Sequence, residues 1–457
     1  MLALALGCSA GGPARDPSDG SDGSDDDLPP NVLVVVLDDV GRDRVAAYHD
    51  HPAPAPTPTL DQLAADGVLF RSAWATPLCS SSRAALWTGR YPSRTGIGHI
   101  IDPKDLVDHL AGEDGIGAMV HRAPVPYTAA FVGKWHLSPI RPVPVVDGPG
   151  RMGFDRWAGS LDNLGVAAVD DGLVHGYSHW EKDTDGTLAY TDRYATIDTT
   201  DDAIDRVTTA PEPWLVAVAY NAAHPPWHDP PTALHPTTPN PQTDTDRVDA
   251  MVESVDRELG RLLAAIPPAT RARTVVVALS DNGPAGEVIR PPWPADRDKG
   301  SMSEASIRVP LIVSGPGIAR GATSDALVHL VDLFPTIAGL VGVDLDDGVV
   351  RDGYDLRPIL TDPTAPGPRT VLFTEKFRPN GSDPERRWAA IRDDRYKLVR
   401  TSVFPDELYD LTADPWSEGP DLLADGVDTA LPPDVDAIHA RLGDAMDAIL
   451  DGLGVTF

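Results

Sequence analysis

A chain of 457 residues is long enough for two or three domains with sizeable cores. Its 42% hydrophobic and 23% charged content is that of an ordinary globular protein and excludes a disordered or fibrous chain. The 69 acidic against 38 basic residues leave a formal charge of -31, which excludes general nucleic-acid binding but allows a local cationic pocket.

The chain opens on MLALALGCSAGG, an apolar run too short to span a bilayer that ends at Gly7-Cys8. The run resembles the end of a secretion signal with a bacterial lipobox, on which Cys8 would carry a lipid. No positive residue stands before it, and Ala5 occupies the place where Leu is usual. The Gly-, Ser-, Asp- and Pro-rich stretch to Pro30 reads as a flexible tether, since it lacks the spacing and closing Glu of a calcium-binding loop. The expectation is an exported lipoprotein, periplasmic or on the cell surface, touching the membrane only through Cys8. Cys79, the other of two cysteines, then has no disulfide partner.

Four apolar runs have the length and β-branched content of buried parallel strands: 31–37, 128–133, 214–220 and 273–279. Helix-like segments lie between them. One is TLDQLAADGVLF (59–70). Another is 246–266, with Val248, Met251, Val252, Val255, Leu259 and Leu262 on one face. This alternation predicts an α/β domain with a largely parallel sheet flanked by helices. A Pro- and Asp-rich joint, LTDPTAPGPRT, precedes a smaller antiparallel sheet (370–377, 387–394, 395–400) and a terminal helix (434–450). The expected division is a tether at 1–30, a catalytic α/β domain at 31–365 and a C-terminal α+β subdomain at 366–457.

Each predicted strand is followed by polar residues: Asp38-Asp39, Lys134-Trp135-His136, Asn221 with His224, and Asp281-Asn282. In open α/β sheets ligands sit at the carboxyl ends of the strands, so these clusters are expected to converge. Asp38, Asp39, Asp281 and Asn282 offer only oxygen, which suits Ca²⁺ or Mg²⁺ better than zinc. Lys134, His136, His224, Arg83 and Lys299 add cationic donors. A metal beside such donors is equipment for a tetrahedral oxyanion, phosphate or sulfate. In TPLCSSSRAALWTGRYPSRTG, Cys79 precedes three serines and Arg83. The residues alone allow a structural thiol, a serine nucleophile beside a chance cysteine, or a cysteine meant for chemical conversion.

These blocks resemble the sulfatase family of the alkaline phosphatase superfamily. LCSSSRAALWTGRYPSRTG is similar to its signature, a Cys followed at the fourth position by Arg and then a Thr-Gly-Arg turn. NVLVVVLDDVG, FVGKWHL, HPPW, LSDNG, DKGSMSEASIRVPLIVSGPG, WAAIRDDRYKLVR and ELYDLTADPWS resemble its other blocks, in order, from Asn31 to near Leu423. The resemblance implies an alkaline-phosphatase-like mixed sheet and hydrolysis of an aryl or carbohydrate sulfate ester. It implies a metal, usually calcium with magnesium second, on Asp38, Asp39, Asp281 and Asn282. Cys79 would be oxidised by a maturation enzyme to formylglycine (3-oxoalanine), whose hydrate completes the coordination and attacks sulfur. Arg83 would hold that hydrate, Lys134 and Lys299 the sulfate oxygens, and His136 the formylglycine hydroxyls. His224 would lie by the bridging oxygen, with His224 or Lys299 protonating the departing alcohol.

Three departures stand out. Ser81 replaces the usual Pro or Ala of the conversion motif, Ser138 a frequent Gly, and EASIRVP the common Glu-Gly-Gly opening. Two rivals remain: a phosphonate monoester or phosphodiester hydrolase with the same nucleophile, and a non-catalytic surface lipoprotein that binds sulfated glycans. His99 is weighed evenly between lining the pocket and a structural role. His49, His51 and His228 read as loop histidines. Trp135, Trp157, Trp227 and Trp293 are candidates for a wall against a sugar or aryl group, with Trp87 assigned to the core.

Overall fold

The computed structural model describes residues 28–101, 108, 110–139, 145–165, 176–291, 293–412, 418–426, 432–455 and 457. The lipobox and most of the tether lie outside these residues. Among them, no helix is long and apolar enough to cross a membrane.

The strands of the large sheet are β1 (Asn31–Leu37), β2 (Gly67–Trp74), β3 (Thr128–Gly133), β4 (Arg156–Gly159), β5 (Trp180–Thr184), β6 (Thr187–Thr191), β7 (Trp214–Ala219), β8 (Thr274–Ser280), β9 (Leu311–Ser314) and β10 (Ala322–His329). They lie in the order β10-β2-β9-β8-β1-β7-β3-β4-β5-β6. From β8 through β4 the pairing is parallel, whereas β9 runs antiparallel to both β8 and β2. The fold is therefore mixed α/β with a largely parallel central sheet.

Burial on both faces explains the four apolar runs. Val32, Val34 and Val36 pack with helices Cys79–Thr88 and Leu333–Val341, while Leu33, Val35 and Leu37 pack with helix Asp244–Ala265. Each layer hides one parity of β1, so Val32 to Leu37 are all apolar, and the one polar residue, Asn31 at the strand's start, is hydrogen-bonded to Glu212 and the Trp214 amide.

The 59–70 segment is only half helix. Helix Pro58–Ala65 stops before Gly67, and the rest becomes β2, whose Gly67–Leu69 pair with Ile312–Ser314. A Cβ on Gly67 would meet the Val313 carbonyl oxygen at 2.2 Å, so glycine allows this close strand approach.

A second, antiparallel sheet follows: β11 (Leu372–Arg378), β12 (Arg386–Arg392), β13 (Tyr396–Thr401) and β14 (Glu407–Asp410), in that order. Helix Val435–Leu453 packs its Ile438, Leu442, Met446 and Leu450 on it.

A buried ion cluster joins the two sheets. Glu304, N-terminal to β9, places Oε1 3.3 Å from Lys397 Nζ and Oε2 3.3 Å from Arg392 Nη1 and 3.4 Å from Arg308 Nε. Glu418 completes it, 2.5 Å from Lys397 Nζ.

Candidate active site

Register brings the polar clusters together. Leu37 pairs with Ser280, Val36 with Ala219, and Ala219 with Gly133, so four adjacent parallel strands end at one level. The residues that follow are Asp38, Asp281, Tyr220-Asn221 and Lys134. Gly133 is required there, because its φ is +96° and a Cβ would meet the Ala219 carbonyl oxygen at 1.9 Å. Asp39 and His136 hold φ of 61° and 55°, the left-handed region that non-glycine residues seldom occupy. Such strain gathers where surrounding contacts fix a side chain for a task.

Asp38, Asp39 and Asp281 bring carboxylate oxygens within 4.8 Å of one another. Asn282 Nδ2 donates to Asp39 Oδ1 at 2.7 Å and to the Gly283 carbonyl at 2.9 Å, which turns its Oδ1 the other way. Asp38 Oδ1, Asp39 Oδ2 and Asn282 Oδ1 are buried without a hydrogen-bond partner among the described residues. Unpaired buried oxygens are costly, and three of them beside a third carboxylate fit a hard divalent cation.

Cations surround these oxygens. Lys134 Nζ pairs with Asp38. Lys299 Nζ lies 2.6 Å from Asp39 Oδ1 and 3.9 Å from Cys79 Sγ. Arg83 sends Nε (3.0 Å) and Nη2 (2.8 Å) to Asp281 Oδ2, Nη2 to Asp38 at 3.4 Å, and Nη1 to the Lys134 carbonyl at 2.6 Å. Nε and Nη1 are thus hydrogen-bonded to Asp281 and the Lys134 carbonyl, while Nη2 makes ion pairs but no hydrogen bond among the described residues, and Arg83 and Cys79 interact through charge. Burial opposes charging of Asp38, but Lys134 and Arg83 hold it far below the usual carboxylate range. Burial and the charge of Asp38 push Asp281 up to about 6 against the pull of Arg83.

Cys79 begins the wholly buried helix Cys79–Thr88. Its Sγ lies 3.2 Å from His136 Nδ1, and His136 Nε2 lies 3.1 Å from Asp162 Oδ1. Burial alone would raise this thiol; the charges of Lys299, His136 and Lys134 bring it down to about 7. The serines are engaged elsewhere. Ser80 Oγ accepts from the Ile101 amide, while Ser81 Oγ donates to the Leu78 carbonyl and Ser82 Oγ to the Thr76 carbonyl. They fasten the helix start, and among the described residues no basic side chain hydrogen-bonds to them.

His224 Nδ1 donates to the Pro225 carbonyl at 2.8 Å, leaving Nε2 as an acceptor. Burial and the charges of Lys134 and Lys299 hold it well below the usual histidine range, so it is neutral. Two residues were not foreseen. Asp162 orients His136 from just beyond β4, a strand of four residues whose brevity hides it. Tyr177 sends its hydroxyl to the carbonyls of Asn221 (2.6 Å) and His224 (2.7 Å), bracing the turn after β7.

The proposed aromatic wall is mostly absent. Trp135 and Trp293 are buried like Trp87; Trp135 stacks edge-on against Phe131. Trp157 donates to Asp183, and only Trp227, half-buried two residues beyond Pro225, stays near the cluster. His228 lies 4.4 Å from the Tyr177 ring and 3.0 Å from the Tyr194 hydroxyl, in an aromatic cluster behind His224. His99 meets the second sheet, its amide donating to Asn380.

Comparisons with known proteins identify the family. Residues 30–343 match the family model Sulfatase, and residues 296–430 match N-sulphoglucosamine sulphohydrolase, C-terminal. The chain belongs to the sulfatase family. It is 29% identical to Arylsulfatase J of Mus musculus over 349 residues, 73% of this chain and 56% of that protein, little more than half its length. It is 27% identical to an ulvan-active sulfatase of Formosa agariphila over 419 residues, covering 86% of this chain and 77% of the relative. A crystal structure of Ps i-CgsB in complex with k-i-k-neocarrahexaose superposes with a TM-score of 0.76 at 24% identity, covering 92% of each chain, and shares the fold.

Proposed function

We propose that this chain hydrolyses a sulfate ester of a carbohydrate or aryl alcohol at the cluster around Cys79. The observation that carries the reading is the set of buried, unpartnered oxygens on Asp38, Asp39 and Asn282 beside a cysteine held between His136 and Lys299. Asp38, Asp39, Asp281 and Asn282 would hold the cation, calcium before magnesium. That ion would draw charge from the sulfate oxygens, and Cys79 converted to formylglycine would supply a hydrate hydroxyl as nucleophile.

The chain's own groups prepare the rest. Arg83 fixes the carboxylates, and Lys134 and Lys299 present positive charge to the sulfate. His136, oriented by Asp162, holds or takes a proton at Nδ1 facing residue 79. His224 or Lys299 would protonate the departing alcohol; His224 keeps its one proton on the Pro225 side, and against burial Asp39 and Cys79 hold the Lys299 ammonium well above its ordinary range. We further propose export with a lipid on Cys8, and a boundary between catalytic domain and C-terminal subdomain near residue 365.

The test is the mass of the peptide Ser72–Arg83 from protein made in its native host, with kcat/KM on aryl sulfates, phosphonate monoesters and phosphodiesters. An aldehyde at residue 79 with preference for sulfate is expected. A large phosphonate preference would assign the sister reaction. Unmodified Cys79 without turnover would leave a glycan-binding protein.

A further inference from the structure

In this acidic chain nearly every Arg and Lys sits against a carboxylate. Among the described residues Arg257, Arg271, Lys376, Arg378 and Arg386 make no ion pair with a carboxylate; the last three lie on one hairpin, where Asp298 acts on Lys376 only at longer range. In the β11–β12 register Lys376 pairs with Trp388 and Arg378 with Arg386. Cross-strand pairs share a face, so Lys376, Arg378, Arg386 and Trp388 form one surface, with Thr374 buried on its inner side. Lys376 Nζ stands 4.7 Å over the Trp388 ring and the Arg378 guanidinium carbon 5.8 Å over it. Arg378 and Arg386 are exposed, and like charges directly opposite each other destabilise a hairpin. Burial, with the charge of Arg378 and against the pull of Asp298, holds Lys376 down to about 8.

The patch adjoins the candidate site at two points. Lys376 Nζ donates to the carbonyl of Gly300, the residue after Lys299. In the hairpin turn, Asn380 accepts from the His99 amide at 2.8 Å and donates to the Ile100 carbonyl at 3.1 Å. Ile101 in turn donates to Ser80 Oγ, one residue from Cys79, at 3.0 Å. The hairpin therefore bridges the segments that carry Lys299 and Cys79.

We propose that Lys376, Arg378 and Arg386, ordered on Trp388, form a second anion subsite for a carboxylate or further sulfate ester on the saccharide whose sulfate is cleaved. The inference rests on the sulfate-ester reading and deepens it: the substrate is an acidic oligosaccharide with more than one anionic group. An exposed charge contact is worth a few-fold in affinity, so losing two arginines should weaken such a ligand about tenfold.

The test uses the double variant Arg378→Gln/Arg386→Gln in two assays. The first is calorimetric binding in a Cys79→Ala background. Its ligands are oligosaccharides of one length bearing a single sulfate, two sulfates, or one sulfate and uronate carboxylates. The second is kcat/KM on 4-nitrophenyl sulfate in the otherwise native enzyme. We expect about tenfold weaker binding of a polyanionic ligand, unchanged binding of the monosulfate, and aryl sulfate turnover within twofold. The arm that shows the loss, disulfate or uronate, identifies the anion. Arg378→Lys/Arg386→Lys should retain binding, which separates charge from packing. Equal weakening of all ligands, or weakening of none, would overturn the subsite. Absence of sulfate turnover in the native enzyme would instead refute the proposed function, while the binding arm would still decide the subsite.

Discussion

Replacing Glu304 by Gln should destabilise the protein at neutral pH and much less in acid. Burial would raise this carboxyl, but Lys397, Arg392 and Arg308 bring it from its ordinary 4.5 down to about 2. A carboxylate depressed on folding stabilises the native state above its unfolded pKa, and loses that contribution as pH falls through the folded one. The window therefore runs from about 4.5 down to about 2. The difference of roughly 2.5 units, at about 1.4 kcal/mol each, is worth about 3 kcal/mol at pH 7 and about 1.5 kcal/mol at pH 3. Gln keeps the shape but leaves Arg392 and Arg308 buried without their carboxylate, so the neutral-pH loss should be of that size or somewhat larger. Urea unfolding of both proteins between pH 7 and pH 3 measures the gap, since other carboxylates titrate in both and cancel. A gap of about 3 kcal/mol that roughly halves by pH 3 is expected. A gap that stays constant across that range would refute the linkage and leave only a packing defect.

Cys79→Ala should abolish sulfate turnover while leaving the fold intact, which circular dichroism and a turnover assay check together. Chelation should remove activity, and returning calcium should restore it; at 100-fold over Kd the ion should add about 2.7 kcal/mol of stability, read as a rise in Tm. Asn282→Ala should weaken that rise, because it deletes one unpartnered oxygen and frees Asp39 from its amide. Gly133→Ala should cost about 3 kcal/mol in denaturant unfolding and lower kcat, since its Cβ would strike the Ala219 carbonyl and displace Lys134.

Legibility followed burial. Strands covered on both faces, such as β1 and β8, write themselves as unbroken apolar runs, and the polar residues after them stand out. Strands covered less evenly do not. β10 carries Ser324 and Asp325, and β4 is Arg-Trp-Ala-Gly, so neither announces itself, and Asp162 beyond β4 stayed hidden. β2 was masked differently: a single residue, Asp66, separates it from the preceding helix, and the apolar spacing runs on across the break. Tyr177 was illegible because its partners are backbone carbonyls, which have no signature in sequence. The tryptophans show the converse error, since an aromatic residue named in sequence carries no mark of the face it will occupy.

The Asp39–Asn282 hydrogen bond spans 243 positions, and the Lys299–Asp39 contact spans 260. During synthesis Asp38 and Asp39 emerge well over two hundred residues before Asp281 and Asn282, whose oxygens are proposed to join theirs. No N-terminal fragment ending before Asn282 contains a complete cation pocket. A cation held there would therefore bind only the assembled sheet, and would reward completed folding without guiding its beginning.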